Sequence, residues 1–95
     1  MAGYVIVQAE IIDSDKFIRY ITESPATISK YGGKYLARAG KIVQFEGVKD
    51  NKRIVIIEFP SLDKAEEWYH SEDYQKVKKL REGAAKGSLI AIEGC

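Results

Sequence analysis

The spacing of apolar positions changes along the chain, and each change predicts an element. Residues 4–11, YVIVQAEI, alternate at every second position and are rich in Val and Ile, which predicts a first strand. Over 13–31 the period lengthens to that of a helix, with Phe17, Tyr20, Ile21 and Ile28 on one side. Ser24-Pro25 within it predicts a restart, with Ser as cap and Pro at the first helical position, where its missing amide costs nothing. Gly32-Gly33 closes the helix, because a left-handed terminal residue is easiest for glycine. Residues 34–39 and 42–46 read as one long strand bent at a bulge around Gly40-Lys41, and Asp50-Asn51-Lys52 is the polar turn that follows.

The next stretch carries the strongest signals. Residues 54–59, IVIIEF, are β-branched or aromatic except at Glu58, as expected of a central strand covered on both faces. Pro60 cannot donate to a ladder and ends the strand. Ser61 can accept from the free amides of the turn that follows, and Asp63 suits the helix dipole. Leu62, Ala65, Trp68 and Tyr69 form an apolar stripe; Ser71 repeats the capping signal, and Tyr74, Val77, Leu80 and Ala84 resume the stripe. This predicts two helical segments with a kink at His70-Ser71, the second closing near Gly83 or Gly87, and then a short strand over 88–93.

Strand, helix, strand, strand, helix, strand is a split βαβ repeat. The expected fold is α+β: a ferredoxin-like βαββαβ sandwich, with a four-stranded antiparallel sheet and two helical segments on one face. Alternation assigns the faces. Val5, Val7, Ala9, Tyr35, Ala37, Ala39, Val55, Ile57, Phe59, Ile90 and Ile92 carry no charge and are expected beneath the helices. The opposite face takes Tyr4, Ile6, Gln8, Glu10, Leu36, Arg38, Ile54, Ile56, Glu58, Leu89, Ala91 and Glu93, and is half apolar. Covering Ile6, Leu36, Ile54, Ile56 and Leu89 would gain up to about 1.5–3 kcal/mol each, against an association cost of about 4–15 kcal/mol. The expected assembly is a homodimer packed sheet to sheet, a dimeric α+β barrel.

Composition narrows the classes. Residues 1–95 suit one domain, and the net charge of +1, with lysines and glutamates mixed, gives no footprint for nucleic acid or an anionic membrane. Cys95 is the lone cysteine and cannot form an internal disulfide, which suits a reducing cytoplasm. No basic segment precedes an apolar one at the amino terminus, and no apolar run approaches spanning length, so neither a signal peptide nor a transmembrane helix is expected.

The segments YGGKYLAR, FEG and RIVIIEFPSLDKAEEWYHSEDYQKVKKLR together resemble the domain of unknown function family 1330, of the dimeric α+β barrel superfamily. FPS followed by AEEWYHSEDY is the most specific part. The resemblance implies the fold and the dimer. Relatives by fold include antibiotic-biosynthesis-type monooxygenases, EthD-like proteins and haem-degrading monooxygenases, but fold-level analogy implies no single activity.

Candidate chemistry is sparse. Glu58, a carboxylate in an apolar strand, must be paired, hydrogen-bonded or protonated if buried. Arg38, expected on the same face of the neighbouring strand, is its natural partner: a structural ion pair, or an anchor for a small acidic or phenolic ligand. Gln8 shares that face. His70, the only histidine, is a candidate general base, or else a solvated histidine at a helix break. Zinc-ligand spacing is absent, whereas haem needs one good axial ligand, which leaves His70 open for that role. Tyr31, Tyr74 and Arg81 are lesser ligand-binding candidates; Tyr74 also reads as core, and Arg81 as an answer to a helix C-terminus. The glycines lack Rossmann or P-loop spacing, so no organic cofactor is expected.

Two function classes are left. One is a small enzyme without a tightly held cofactor, acting on a small organic acid or aromatic compound with Glu58 or His70 as base and Arg38 holding an anion. The other is a non-catalytic dimeric module that binds a small ligand or serves as a structural or accessory subunit, in which the same polar groups only hold the dimer.

Overall fold

Four strands form one antiparallel sheet in a computed structural model that describes residues 1–95. They are β1 (Gly3–Ile11), β2 (Lys34–Arg38), β3 (Arg53–Phe59) and β4 (Ala85–Glu93), in the spatial order β2-β3-β1-β4. Helix α1 (Ser14–Lys30) connects β1 to β2. Helices α2 (Leu62–His70) and α3 (Glu72–Lys78), with a 3-10 turn at Lys79–Arg81, connect β3 to β4. This is the ferredoxin-like α+β topology.

Local chemistry sets most of the boundaries. Asp13 caps α1 by accepting from the Lys16 amide, and Ser61 caps α2 by accepting from the Lys64 amide. Ser71 serves two helices at once: its hydroxyl donates to the Trp68 carbonyl and accepts from the Tyr74 amide, which closes α2 and opens α3. At the end of α1 the Gly33 amide donates to the Ile28 carbonyl and the Gly32 amide to the Ser29 carbonyl, a Schellman closure with Gly32 left-handed at φ +79.

Several expectations are corrected. Helix α1 runs unbroken through Ser24-Pro25, because the Ser24 hydroxyl donates back to the Tyr20 carbonyl at 2.6 Å instead of capping a new helix. Proline has no amide for the Ile21 carbonyl, and the Arg38 guanidinium donates to that oxygen at 3.2 Å. The long second strand stops at Arg38. Residues 42–46 are not strand, and Ile42, Val43, Phe45 and Val48 are exposed. Gly83, with φ +74, ends the last helical turn; Gly87 lies inside β4, where a Cβ would collide with the Gln8 carbonyl. The final strand begins at Ala85, earlier than the expected residue 88.

Two register details reverse the assigned faces. The bulge falls at Leu36, between Tyr35 opposite Ile57 and Ala37 opposite Ile56, so Arg38 stands opposite Val55 on the helix-covered side. A one-residue slip moves every later side chain to the other face. In β4, Leu89 pairs with Val7 and Ala91 with Val5, whereas Ile90 and Ile92 pair with Ile6 and Tyr4 on the open face. Ile90 and Ile92 are 55% and 56% exposed, not buried beneath the helices.

The core centres on Trp68. Its ring lies 5.3 Å from Phe59 and 4.2 Å from Tyr74, centroid to centroid, and its indole N–H donates to the Thr27 hydroxyl of α1 at 3.1 Å. Both partners of that hydrogen bond are buried. Thr27→Val keeps the volume and strands a buried donor, so it is expected to cost about 1–3 kcal/mol. Denaturant midpoints at unchanged m-value measure this; a midpoint equal to the parent's would show the bond to be immaterial.

Candidate functional site

The position of α1 creates the site. Its inward residues are Phe17, Tyr20, Ser24, Thr27 and Ile28, and the small polar pair in the middle fills little space. The helix packs against α3 and the 3-10 turn, and its Phe17, Tyr20 and Ile28 join Val5, Val55 and Ile57 of the sheet in one core cluster. The Tyr20 and Tyr74 hydroxyls meet at 2.8 Å, both residues buried, and tie α1 to α3. Two small pockets lie beside α1 and the sheet, and because they share wall residues we take them as the two ends of one gap. One end, about 70 Å³, is bordered by Arg81 and by β1 and β4 from Ala85 to Leu89; the other, about 30 Å³, by Tyr35, Arg38 and Arg53. Val7, Phe17 and Tyr20 line both ends.

Three arginines surround this gap, each against an aromatic ring. The guanidinium carbon of Arg38 lies 4.5 Å from the Tyr35 ring centre, that of Arg53 5.6 Å from Phe17, and that of Arg81 5.4 Å from Tyr20. None has a carboxylate partner, because all five ion pairs of the chain are made by lysines. Burial, and then the charge of Arg38, lower the pKa of Arg53, so the two guanidiniums stand close enough to repel. A guanidinium on an aromatic face can still offer N–H groups to a carboxylate, although Arg38 is exposed and already donates to the Ile21 carbonyl, and Arg81 also bonds the Tyr74 and Tyr20 hydroxyls.

The sequence candidates divide among three places. Arg38, Tyr74 and Arg81 belong to the gap, Tyr74 reaching it through Tyr20. Glu58 stands on the open sheet face, where Lys34 lies 3.2 Å away and where its carboxylate, more than burial, raises the pKa of Tyr4. The expected Arg38–Glu58 pair is therefore not formed: the bulge at Leu36 puts the two residues on opposite faces. Gln8 pairs with Ile54 in the sheet and also borders the Arg81 end of the gap. Tyr31 is the C-cap of α1, packed against the core. His70 ends α2, exposed and edge-on to Tyr69 at 5.2 Å, beside an apolar depression of about 170 Å³ lined by Val5, Trp68, Leu89 and Ala91. No group of three or more His, Cys, Asp or Glu converges there or elsewhere. Reading the sequence for chemistry misses Arg53, Phe17, Tyr20 and Tyr35. Arg53 was legible, since it stands two residues before Val55 in the inward series Val55, Ile57, Phe59.

Comparison with solved structures defines the class first. The chain has the fold of a protein of unknown function from Rhodopseudomonas palustris, RPA0582, with a TM-score of 0.75 at 18% identity, over 99% of this chain and 82% of that one. It also has the fold of SnoaB, a cofactor-independent oxygenase from Streptomyces nogalater, with a TM-score of 0.70 at 9% identity, covering 99% and 93% of the two chains. A dimeric ferredoxin-like protein of unknown function from Bacteroides fragilis gives a TM-score of 0.58 at 11% identity, covering 98% and 96%. These identities establish the fold alone. The family is also defined: residues 2–95 match the model of the domain of unknown function DUF1330, and the chain belongs to that family. No curated protein matches it.

The geometry yields two expected outcomes. Because Arg38 and Glu58 share no partner and face opposite ways, the stability changes of Arg38→Met and Glu58→Gln should add to within about 0.5 kcal/mol in a double-mutant cycle. A larger coupling energy would contradict the Leu36 bulge. Burial, and then Tyr20, push the Tyr74 phenol well above the ordinary tyrosine value of 10.0. Folding therefore favours the neutral phenol, and this stability is present in full below pH 10.0 and is lost as pH rises towards the folded pKa. Denaturant midpoints taken on both sides of that pH should fall steeply in the parent and less steeply in Tyr74→Phe.

Proposed function

We propose that this protein is a homodimeric, cytoplasmic small-molecule-binding protein whose ligand is a small organic acid held in the gap beneath α1. The observation that carries this reading is the set of three arginines, Arg38, Arg53 and Arg81, that meet aromatic rings and no carboxylate. A bound acid supplies the missing negative charge. The dimensions set the scale: at about 10–15 Å³ for each water-sized probe, the two ends hold about five and about two waters, room for a short acid and not for a large polycyclic one. Tyr20 and Tyr74 supply neutral donors, and the raised phenol of Tyr74 stays protonated at neutral pH.

Turnover of the acid is the second reading, favoured by the Tyr20–Tyr74 hydroxyl pair as a proton donor at the site and by the fold shared with an oxygenase that uses no cofactor. Simple binding fits the geometry better, because the candidate bases stand elsewhere: Glu58 on the open face and His70 at the far end of α2. The dimer is supported by the open face itself. Corrected for the β4 register, it presents Tyr4, Ile6, Ile54, Ile56, Ile90 and Ile92, more apolar than alternation had it. The dimeric relative of the same fold supports the same assembly.

Small carboxylic acids at millimolar concentration should raise Tm, by linkage, and Arg53→Met should abolish the rise while Lys79→Met on the exposed helix face leaves it. If no acid raises Tm, the reading fails. For the dimer, sedimentation should give twice the chain mass at micromolar concentration. Ile56→Lys should dissociate or unfold it, whereas Lys79→Glu should change stability by less than about 0.5 kcal/mol. A monomeric parent would exclude the sheet-to-sheet assembly.

A further inference from the structure

Arg53 and Arg81 are joined by one continuous stack of rings. The guanidinium of Arg53 lies 5.6 Å from the Phe17 ring, Phe17 lies 5.3 Å from Tyr20, and Tyr20 lies 5.4 Å from the guanidinium of Arg81. The two pockets beside α1 meet at this stack, since Phe17 and Tyr20 line both. Arg38 and Arg53 line the first end, Arg81 and Lys86 the second, and neither end contains a carboxylate. An aromatic face attracts one cation well, but two on adjacent rings without a counter-charge leave an electrostatic demand at both ends. Between the ends, the walls supplied by Val7 and Phe17 are apolar.

We infer that the ligand is a short dicarboxylate, or an acid of the same double-ended charge, lying along the Phe17–Tyr20 stack with one carboxylate on Arg38 and Arg53 and the other on Arg81. This rests on the organic-acid reading above and specifies its substrate class. A single carboxylate satisfies one mouth and leaves the other cation unpaired. A second carboxylate at the right separation satisfies both, at the cost of one set of lost translational freedom. The Tyr20 hydroxyl, already bonded to Tyr74, is close to the Arg81 end and can share its proton with an oxygen there.

The test is calorimetric titration of the intact protein with the unbranched dicarboxylates from malonate to adipate, each beside the monocarboxylate of equal chain length, at constant ionic strength. Affinity should pass through a maximum within the series. The best dicarboxylate should bind about tenfold or more tightly than its monocarboxylate, the worth of one hydrogen bond to a charged group. Arg81→Met and Arg53→Met should each bring it down to the monocarboxylate level, while Lys79→Met should not. The length series needs no substitution, so it decides the matter even if Arg81→Met fails to fold. Equal affinity for the two classes, or affinity that is flat or rises steadily with length, would overturn the two-ended site and leave the organic-acid reading standing. If no acid in either class binds, both fall.

Discussion

Two buried hydrogen bonds tie α1 to the helices beside it, and the candidate site lies along that tether. The indole of Trp68 on α2 donates to Thr27, and Tyr74 on α3 meets Tyr20 hydroxyl to hydroxyl. Each pairs a polar group that would be costly to bury alone, so each is a strong constraint on geometry even though its net worth is only about a kilocalorie. Both run from helix to helix. A helix tethered sideways to its neighbours need not settle onto the strands beneath it, and with Ser24 and Thr27 at its middle α1 has little bulk to do so. The gap is thus a consequence of where the core spends its polar groups, and Trp68, stacked on Phe59, passes the same constraint to β3.

The division of labour between cations is the second consequence. Lysines make all of the ion pairs, such as Lys30 with Asp73 at the α1–α3 surface, while Arg38, Arg53 and Arg81 turn to aromatic rings. Physical chemistry favours this sorting: a guanidinium is planar and weakly hydrated, so it can lie on a ring partly out of water, whereas an ammonium keeps its hydration and pairs best at the surface. Arg38 is also drawn inward by α1 itself. Pro25 leaves the Ile21 carbonyl without its helical amide, and the guanidinium takes the vacant acceptor. A proline in one helix thereby gives a partner to an arginine in the next element of the chain.

Legibility in the sequence followed the strength of the local signal. The caps at Asp13, Ser61 and Ser71, the Gly32-Gly33 closure and the order of elements could be read because one or two residues decide each of them. The faces of β2 and β4 could not. The bulge at Leu36 involves no glycine and leaves no mark in the chain, so alternation carried Arg38 to the wrong side and paired it with Glu58. In β4 the run Leu-Ile-Ala-Ile is apolar on both faces, and periodicity has nothing to choose with; pairing with β1 chooses instead. Residues 42–46 alternate like a strand but find no neighbour to bond with in the chain, and pattern without a partner does not make a strand. Arg53 fell between the expected turn at 50–52 and the expected strand at 54–59, although its position in the alternation already turned it inward.

The same register errors bear on function, because they decide which face carries which chemistry. With Arg38 and Glu58 on one face, the open side of the sheet would be both the seam between protomers and the site, and neither could change without the other. With Arg38 on the helix-covered side and Ile90 and Ile92 on the open face, the proposed seam and the proposed site are separated by the thickness of the sheet. The outer face then needs only apolar cover and one exposed ion pair, Lys34 with Glu58, to be reconciled with a partner. The inner gap is free to carry unpaired positive charge, which a dimer seam would tolerate poorly because it would have to be desolvated twice over. Separation of this kind lets the arginines remain without carboxylates, held by rings that need no counter-charge.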